Sequence, residues 1–366
     1  MILSIDTVRR PPNIPVFGVP VFRAIPLVMG VICMAFGWYV VAGAPDADHF
    51  VAGHVTIALA AICYALFTTA ATIIRQLISR YGRAWQFILP LTGYAAALIA
   101  VVYGIVILTR GAEPQYVVAG HVIVGIGLIS NCVSTVAASS TRFTLIPVNA
   151  ARTPEDEPPD EAYSPVTGKA LIAVPALCAL AGFVYAFVLM AKGGGTSAEG
   201  GAYYTAGHVL FGLAAICASL IALVASIVRQ VRNSFGEPER YRWGWLVIVM
   251  GTIDILLGAY VLASSDHPYR IAPGCILIGL GLVCYSILSK ALLLALVWRQ
   301  SFPLANRIPM IPVVTALTCL FFGAFLFEAA VTDPSFFIPA RVLVGLGAVC
   351  FTLFSIVSIL EAGTSS

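Results

Sequence analysis

Ala52-Gly53-His54-Val55, Ala119-Gly120-His121-Val122 and Ala206-Gly207-His208-Val209 are three copies of one phrase, and the register they set decides the fold. Two degraded copies continue the series, Pro273-Gly274-Cys275-Ile276 and Pro339-Ala340-Arg341-Val342. From His54 through His121, His208 and Cys275 to Arg341, the steps are 67, 87, 67 and 66 residues. A near-constant period of this length marks one supersecondary unit tiled along a chain.

The composition says what that unit is. Of 366 residues, 60% are apolar and only 10% charged, whereas a soluble domain carries about a quarter charged residues. Apolar stretches recur at about 25–44, 51–79, 86–108, 117–141, 168–191, 204–229, 243–264, 271–298, 308–329 and 337–360. Each is long enough to cross roughly 30 Å of hydrocarbon. The expected fold is an all-α membrane protein of ten transmembrane helices, arranged as five parallel two-helix repeats at about 23–83, 84–147, 168–234, 241–303 and 306–363. Residues 1–22 are expected to be a cytoplasmic lead-in and not a cleavable signal. Residues 148–167, acidic and proline-rich, read as a disordered linker that explains the long step. Two helices per unit leave every unit in the same orientation. This excludes inverted repeats and relates the units about the membrane normal. Five of them can close into a pseudo-fivefold ring, and the expectation is that His54, His121, His208, Cys275 and Arg341 then encircle a central cavity.

Charge gives the expected orientation. If the first span starts in the cytoplasm, fifteen of the twenty Lys and Arg fall at cytoplasmic connections. Arg110, Lys192, Arg270 and Arg341 fall on the other side, and Lys290 lies within a span. The positive-inside rule then puts both termini in the cytoplasm. The basic residues read as topology signals, so nucleic acid is not an expected partner; the bilayer is, with a small solute or ion as a further candidate.

Offsets from the register point repeat as well. Gly37, Gly104, Gly258 and Gly323 precede it by 17 or 18 residues, in the first helix of every unit but the third. Pro26, Pro90, Pro175 and Pro312 are expected to open those first helices, where the missing amide costs nothing. Four residues after the register point stand Gly125, Gly212, Gly279 and Gly345, with Ala58 in the first unit. Nine residues after it stand Cys63, Cys217, Cys284 and Cys350, and 21 after it Arg75, Arg142 and Arg229. At about 100° per residue, His, Gly and Arg share one side and Cys faces another neighbour. Twenty-one residues rise roughly 31 Å, so the histidines mark one interface and the arginines anchor the other. Small residues let helices approach closely in lipid.

Several features carry chemistry. Histidine is the side chain that charges between about pH 5 and 8, so the three histidines are either proton sensors or docking residues at a helix start. A haem held between two of them lacks a matching histidine at the other face. Asp254 and Lys290 are intramembrane charges of matching depth, expected to pair or to share a wet cavity. Asn131, Ser134, Thr135, Ser139 and Ser140 form a polar stripe that either packs or lines a watery path. Glu328 reads as an interfacial carboxylate. All nine cysteines fall inside spans, where packing is their default role. No nucleophile elbow, phosphate loop or metal-spaced His pair is present, so no enzyme, metal or cofactor is expected.

Ser134–Ser140, Leu304–Pro312, Phe337–Gly363, Cys284–Ile287 and the Ala-Gly-His-Val copies resemble the YhiM family of enterobacterial inner-membrane proteins. The resemblance covers nearly the whole chain. It implies an inner-membrane protein linked to survival at low pH, with no catalytic or binding residues to carry over. The sequence therefore leads to a proton-responsive, channel-like or transporter-like module for acid stress. The alternative is a scaffold that binds a partner without transporting anything.

Overall fold

The computed structural model describes residues 18–77, 83–141, 164–231, 237–264, 266–296 and 307–364. Among them are ten α-helices: α1 (Gly18–Gly43), α2 (Ala47–Leu77), α3 (Arg83–Leu108), α4 (Pro114–Ser140), α5 (Pro165–Lys192), α6 (Ala198–Val231), α7 (Glu237–Ser264), α8 (Ile271–Leu296), α9 (Met310–Thr332) and α10 (Phe337–Thr364). All ten are long and apolar enough to cross a membrane. Most of the acidic linker lies outside the described residues. Its last residues are helical, because α5 begins at Pro165, capped by the Ser164 hydroxyl accepting from the Thr167 amide at 3.1 Å.

The helices sort into two shells. In the odd-numbered ones 22–33% of the span is buried, against 72–89% in the even-numbered ones. The even helices contact one another in the cyclic order α2, α4, α6, α8, α10 and back to α2, so they close an inner ring. Each odd helix lies outside, against its own hairpin partner and the preceding inner helix. His49 on α2 against Phe337 on α10, ring centroids 4.3 Å apart, seals the closure near one end.

The glycines show how the ring is keyed. A Cβ on Gly125 would meet Leu210 and Leu213; on Gly212, Leu277 and Leu280; on Gly279, Leu343 and Leu346; on Gly345, Thr56 and Leu59. In every case a residue four after one register point meets residues two and five after the next. The five inner helices are therefore parallel and in register, as the internal repeat requires. The hairpins use a second set. A Cβ on Gly104 would lie 2.8 Å from the Gly120 carbonyl oxygen, and one on Gly258 would lie 2.7 Å from that of Gly274. Only helices lacking side chains at the crossing can lie this close, which is how packing holds helices together in lipid.

One local expectation is corrected. Pro26, Pro90 and Pro175 lie inside α1, α3 and α5 and do not open them; only Pro312 sits in a first turn. The preceding residues continue as helix, an interruption that transmembrane helices tolerate when neighbouring groups satisfy the freed carbonyl.

Candidate functional site

Around each inner helix, four directions follow from the repeat. The glycine four residues after the register point faces the next inner helix, and the glycine just before it faces the hairpin partner. The cysteine nine residues on also faces the outer shell: Cys63 touches Gly30, and Cys284 touches Gly251. The remaining direction is the common axis. It is occupied by residues 5, 8, 12 and 15 after the register point.

Those positions build layers. One consists of Ile62, Ile129, Ile216, Val283 and Val349, and the next of Leu66, Val133, Leu220, Ile287 and Leu353. Beyond them come Thr69, Val136, Leu223 and Lys290. The layers enclose a narrow cavity of about 30 Å³. From five to fifteen residues past the register point is roughly 15 Å of helix, and over that rise Lys290 alone brings a charge to the axis. At the histidine end the axis widens into a vestibule of about 340 Å³. Asp48, Gln115, Ala202, Tyr269 and Ser335 line it, one from each repeat and each six residues before its register point.

The register residues themselves do not line either space, so the expectation that they surround the central cavity is corrected. They point about 100° away from the axial positions, between an inner helix and the outer shell. His54 rests 4.0 Å from Phe50 and 5.9 Å from Tyr103 on α3, measured between ring centroids. His121 lies 5.3 Å from Tyr185 on α5. His208 lies 4.2 Å from Tyr204, which stacks on His267 at 3.9 Å. Arg341 covers the ring of Phe337 at 3.2 Å and that of Phe327 at 4.7 Å.

Three of these five share one hydrogen bond. His121 Nδ1–H donates to the Val117 carbonyl at 2.6 Å, His208 Nδ1–H to that of Tyr204 at 2.8 Å, and Arg341 to that of Phe337 at 3.0 Å. Each acceptor stands four residues back on the same helix. His54 departs from the pattern, its Nδ1 being buried with no partner. Cys275 is buried and free. The phrase thus has a structural account: buried Ala, Gly against the hairpin partner, His among aromatics and bonded back to its helix in two of the three copies, Val inside.

Asp254 and Lys290 do not pair. Asp254 is fully buried, and the group it meets is the Cys284 thiol, at 3.9 Å from one oxygen, while its other oxygen has no partner. Cys284 precedes Lys290 by six residues, about 120° around α8. The acid therefore points from the outer helix α7 onto the back of α8, between the shells, while the lysine lines the axis. Matching depth could not reveal this, because depth says nothing about azimuth.

The polar stripe of α4 packs. Ser134, Thr135, Ser139 and Ser140 donate to carbonyls three or four residues back. Tyr94 ties Thr135 to α3 at 2.9 Å, and Asn131 reaches the Cys178 sulfur at 3.5 Å. At the arginine end, Arg229 is half-buried near the end of α6; Arg142 and the side chain of Arg75 lie outside the described residues. Glu328 is exposed near the end of α9. No group of three or more metal-ligating side chains forms among the described residues.

Residues 17–365 match a family described as a protein of unknown function, DUF2776. The chain belongs to this family. It is also 55% identical, over 94% of its own length and 97% of the relative's, to inner membrane protein YhiM of Escherichia coli strain K12. That relationship and the ten apolar helices make this DUF2776 chain a multi-pass inner-membrane protein. No solved structure matches it. The axial layers, which the sequence reading passed over, are the DUF2776 feature of greatest functional interest. Their signal was available: the same four offsets carry aliphatic residues in almost every repeat.

Proposed function

We propose that this protein is a gated conduit for a small solute or ion along its pseudo-fivefold axis, serving low-pH tolerance, and that the structure is its closed state. The observation that carries the reading is the axis itself. A vestibule of about 340 Å³ lies at one end of that axis, and a separate narrow apolar cavity farther along it is bordered by Lys290. Successive rings of Ile, Val and Leu form a hydrophobic constriction of the kind that gates by excluding water. Intramembrane charges are expensive and mark pathways. Both termini lie in the cytoplasm on this reading, supported by the fifteen basic residues on that side. The vestibule then opens away from the cytoplasm. The three histidines would act indirectly, since charging rings wedged between the shells biases how tightly the repeats close. The role in acid stress rests on the YhiM resemblance.

The test is flux in proteoliposomes at pH 5 and pH 7. Leu220→Ala combined with Leu353→Ala widens one apolar layer and should raise flux at both pH values. Replacing all three histidines by Gln should flatten the difference between them. A widened variant as tight as protein-free vesicles at both pH values would refute the conduit.

One observation favours a second reading, a scaffold that transports nothing. Asp254, Lys290 and the α4 hydroxyls line no common cavity, and the axis is walled almost wholly by aliphatic side chains. On that reading, widening the layer costs stability without adding permeability.

A further inference from the structure

A cation with no anion to answer it borders the axial cavity. Lys290 is 2% exposed and lines the cavity together with Thr69, Val136 and Leu223 of its own layer. Among the described residues no carboxylate lies within 4.0 Å of its Nζ. The other intramembrane charge of matching depth, Asp254, faces the far side of α8 and meets Cys284. The Thr69 hydroxyl already donates to the Ala65 carbonyl at 3.0 Å, so it does not compete with the ammonium as a donor. An isolated buried charge must lose its proton or acquire a counter-charge. The cavity of about 30 Å³ has room for one, because a single water needs about 10–15 Å³ of such space.

We propose that the axial cavity is an anion site, in which the Lys290 ammonium binds one small monovalent anion of halide or nitrate size. The apolar rings above it exclude larger and multiply charged species, whose hydration they cannot replace. Four of the five repeats place a neutral residue fifteen positions after the register point, Thr69, Val136, Leu223 and Ile356. One lysine on a shared axis therefore serves the whole ring, and the stoichiometry is one anion per chain. This deepens the conduit reading by naming the class of permeant, yet binding can occur whether or not the ring opens.

The experiment uses the full chain in nanodiscs and reads chloride-35 line broadening, with bromide and nitrate as competitors and gluconate as the oversized control. Wild type should broaden the signal above empty nanodiscs, and bromide and nitrate should reverse the broadening while gluconate does not. Lys290→Met should abolish the effect and Lys290→Arg should retain it. Should Lys290→Met fail to fold, crystals of wild type grown in bromide decide the question by an anomalous peak on the axis beside Lys290. No broadening in wild type, undiminished broadening in Lys290→Met, or no bromide beside Lys290 each overturns the site. Binding without chloride flux in the widened variant sinks the conduit and leaves the site standing. Flux without binding does the reverse.

Discussion

Gly104→Ala isolates the contact that holds a hairpin together. A Cβ there would lie 2.8 Å from the Gly120 carbonyl oxygen, 2.8 Å from the Val124 amide nitrogen and 2.8 Å from Val124 Cγ2. Favourable carbon contacts begin at about 3.5 Å, so α3 and α4 must part by several tenths of an ångström. Two of the three atoms are backbone, which no rotamer change can move aside. Overpacking of this kind costs about 1–3 kcal/mol. At roughly 2–4 °C per kcal/mol for a large chain, an expected cost of about 2 kcal/mol lowers the melting temperature by some 4–8 °C. Gly244→Ala is the control, because its nearest neighbours, Leu288 Cδ1 and Leu292 Cδ2, are both 3.9 Å from the added carbon. Alanine favours helix over glycine by about 1 kcal/mol, and that gain is common to both variants. The difference between them therefore reports packing alone. Gly120→Ala added to Gly104→Ala should cost less than the sum, since both open the same crossing. The assay is thermal unfolding in one detergent followed by far-UV circular dichroism. If Gly104→Ala melts within a degree of Gly244→Ala, the close approach does not hold the hairpin and the reasoning fails.

Three further outcomes follow. Asp254→Asn and Lys290→Met should change stability additively to within about 0.5 kcal/mol, because the two groups share no partner; measured coupling well above that value would restore the ion pair. Asp46 lies in the loop between α1 and α2, where the His49 amide donates to its carboxylate at 2.8 Å and holds its pKa below the ordinary range. A depressed carboxylate adds stability above its unfolded pKa, about 4, and loses it as pH falls through the folded value. Asp46→Asn should therefore flatten the fall in melting temperature below about pH 4, and an unchanged acid limb would count against the interaction. Single cysteines introduced at Asp46 and at Asp266 should react with an impermeant maleimide from the same side of the bilayer. Labelling from opposite sides would break the parallel-repeat architecture.

The repeat, though not its division into two shells, was legible because it depends on side-chain size. Gly at the crossing, Gly four residues past the register point and Cys nine past it each sit where a neighbouring helix comes close, and small residues are rare enough in a span to be noticed. The even period then fixed the parallel orientation without any knowledge of contacts. The prolines were misread for a local reason. Pro26, Pro90 and Pro175 look like helix starts because amides there are unpaired, yet membrane helices run through proline and those helices begin several residues earlier.

The axis was hidden by the solvent. In water, a ring of Leu and Ile announces a buried face against a polar one, but lipid is as apolar as leucine, and hydrophobicity cannot separate a residue on the axis from one facing the bilayer. Attention falls instead on polar residues, which is why His54, His121 and His208 drew the central cavity to themselves although they belong to the interface between shells. The azimuth was recoverable by another route. Once the glycine four residues past the register point is assigned to the next inner helix, the axis must lie between that direction and the one facing the preceding inner helix. Residues 5, 8, 12 and 15 are the offsets that fall there. On that count Lys290 is the charge that shares an azimuth with the aliphatic rings, and Asp254, on an outer helix, never could.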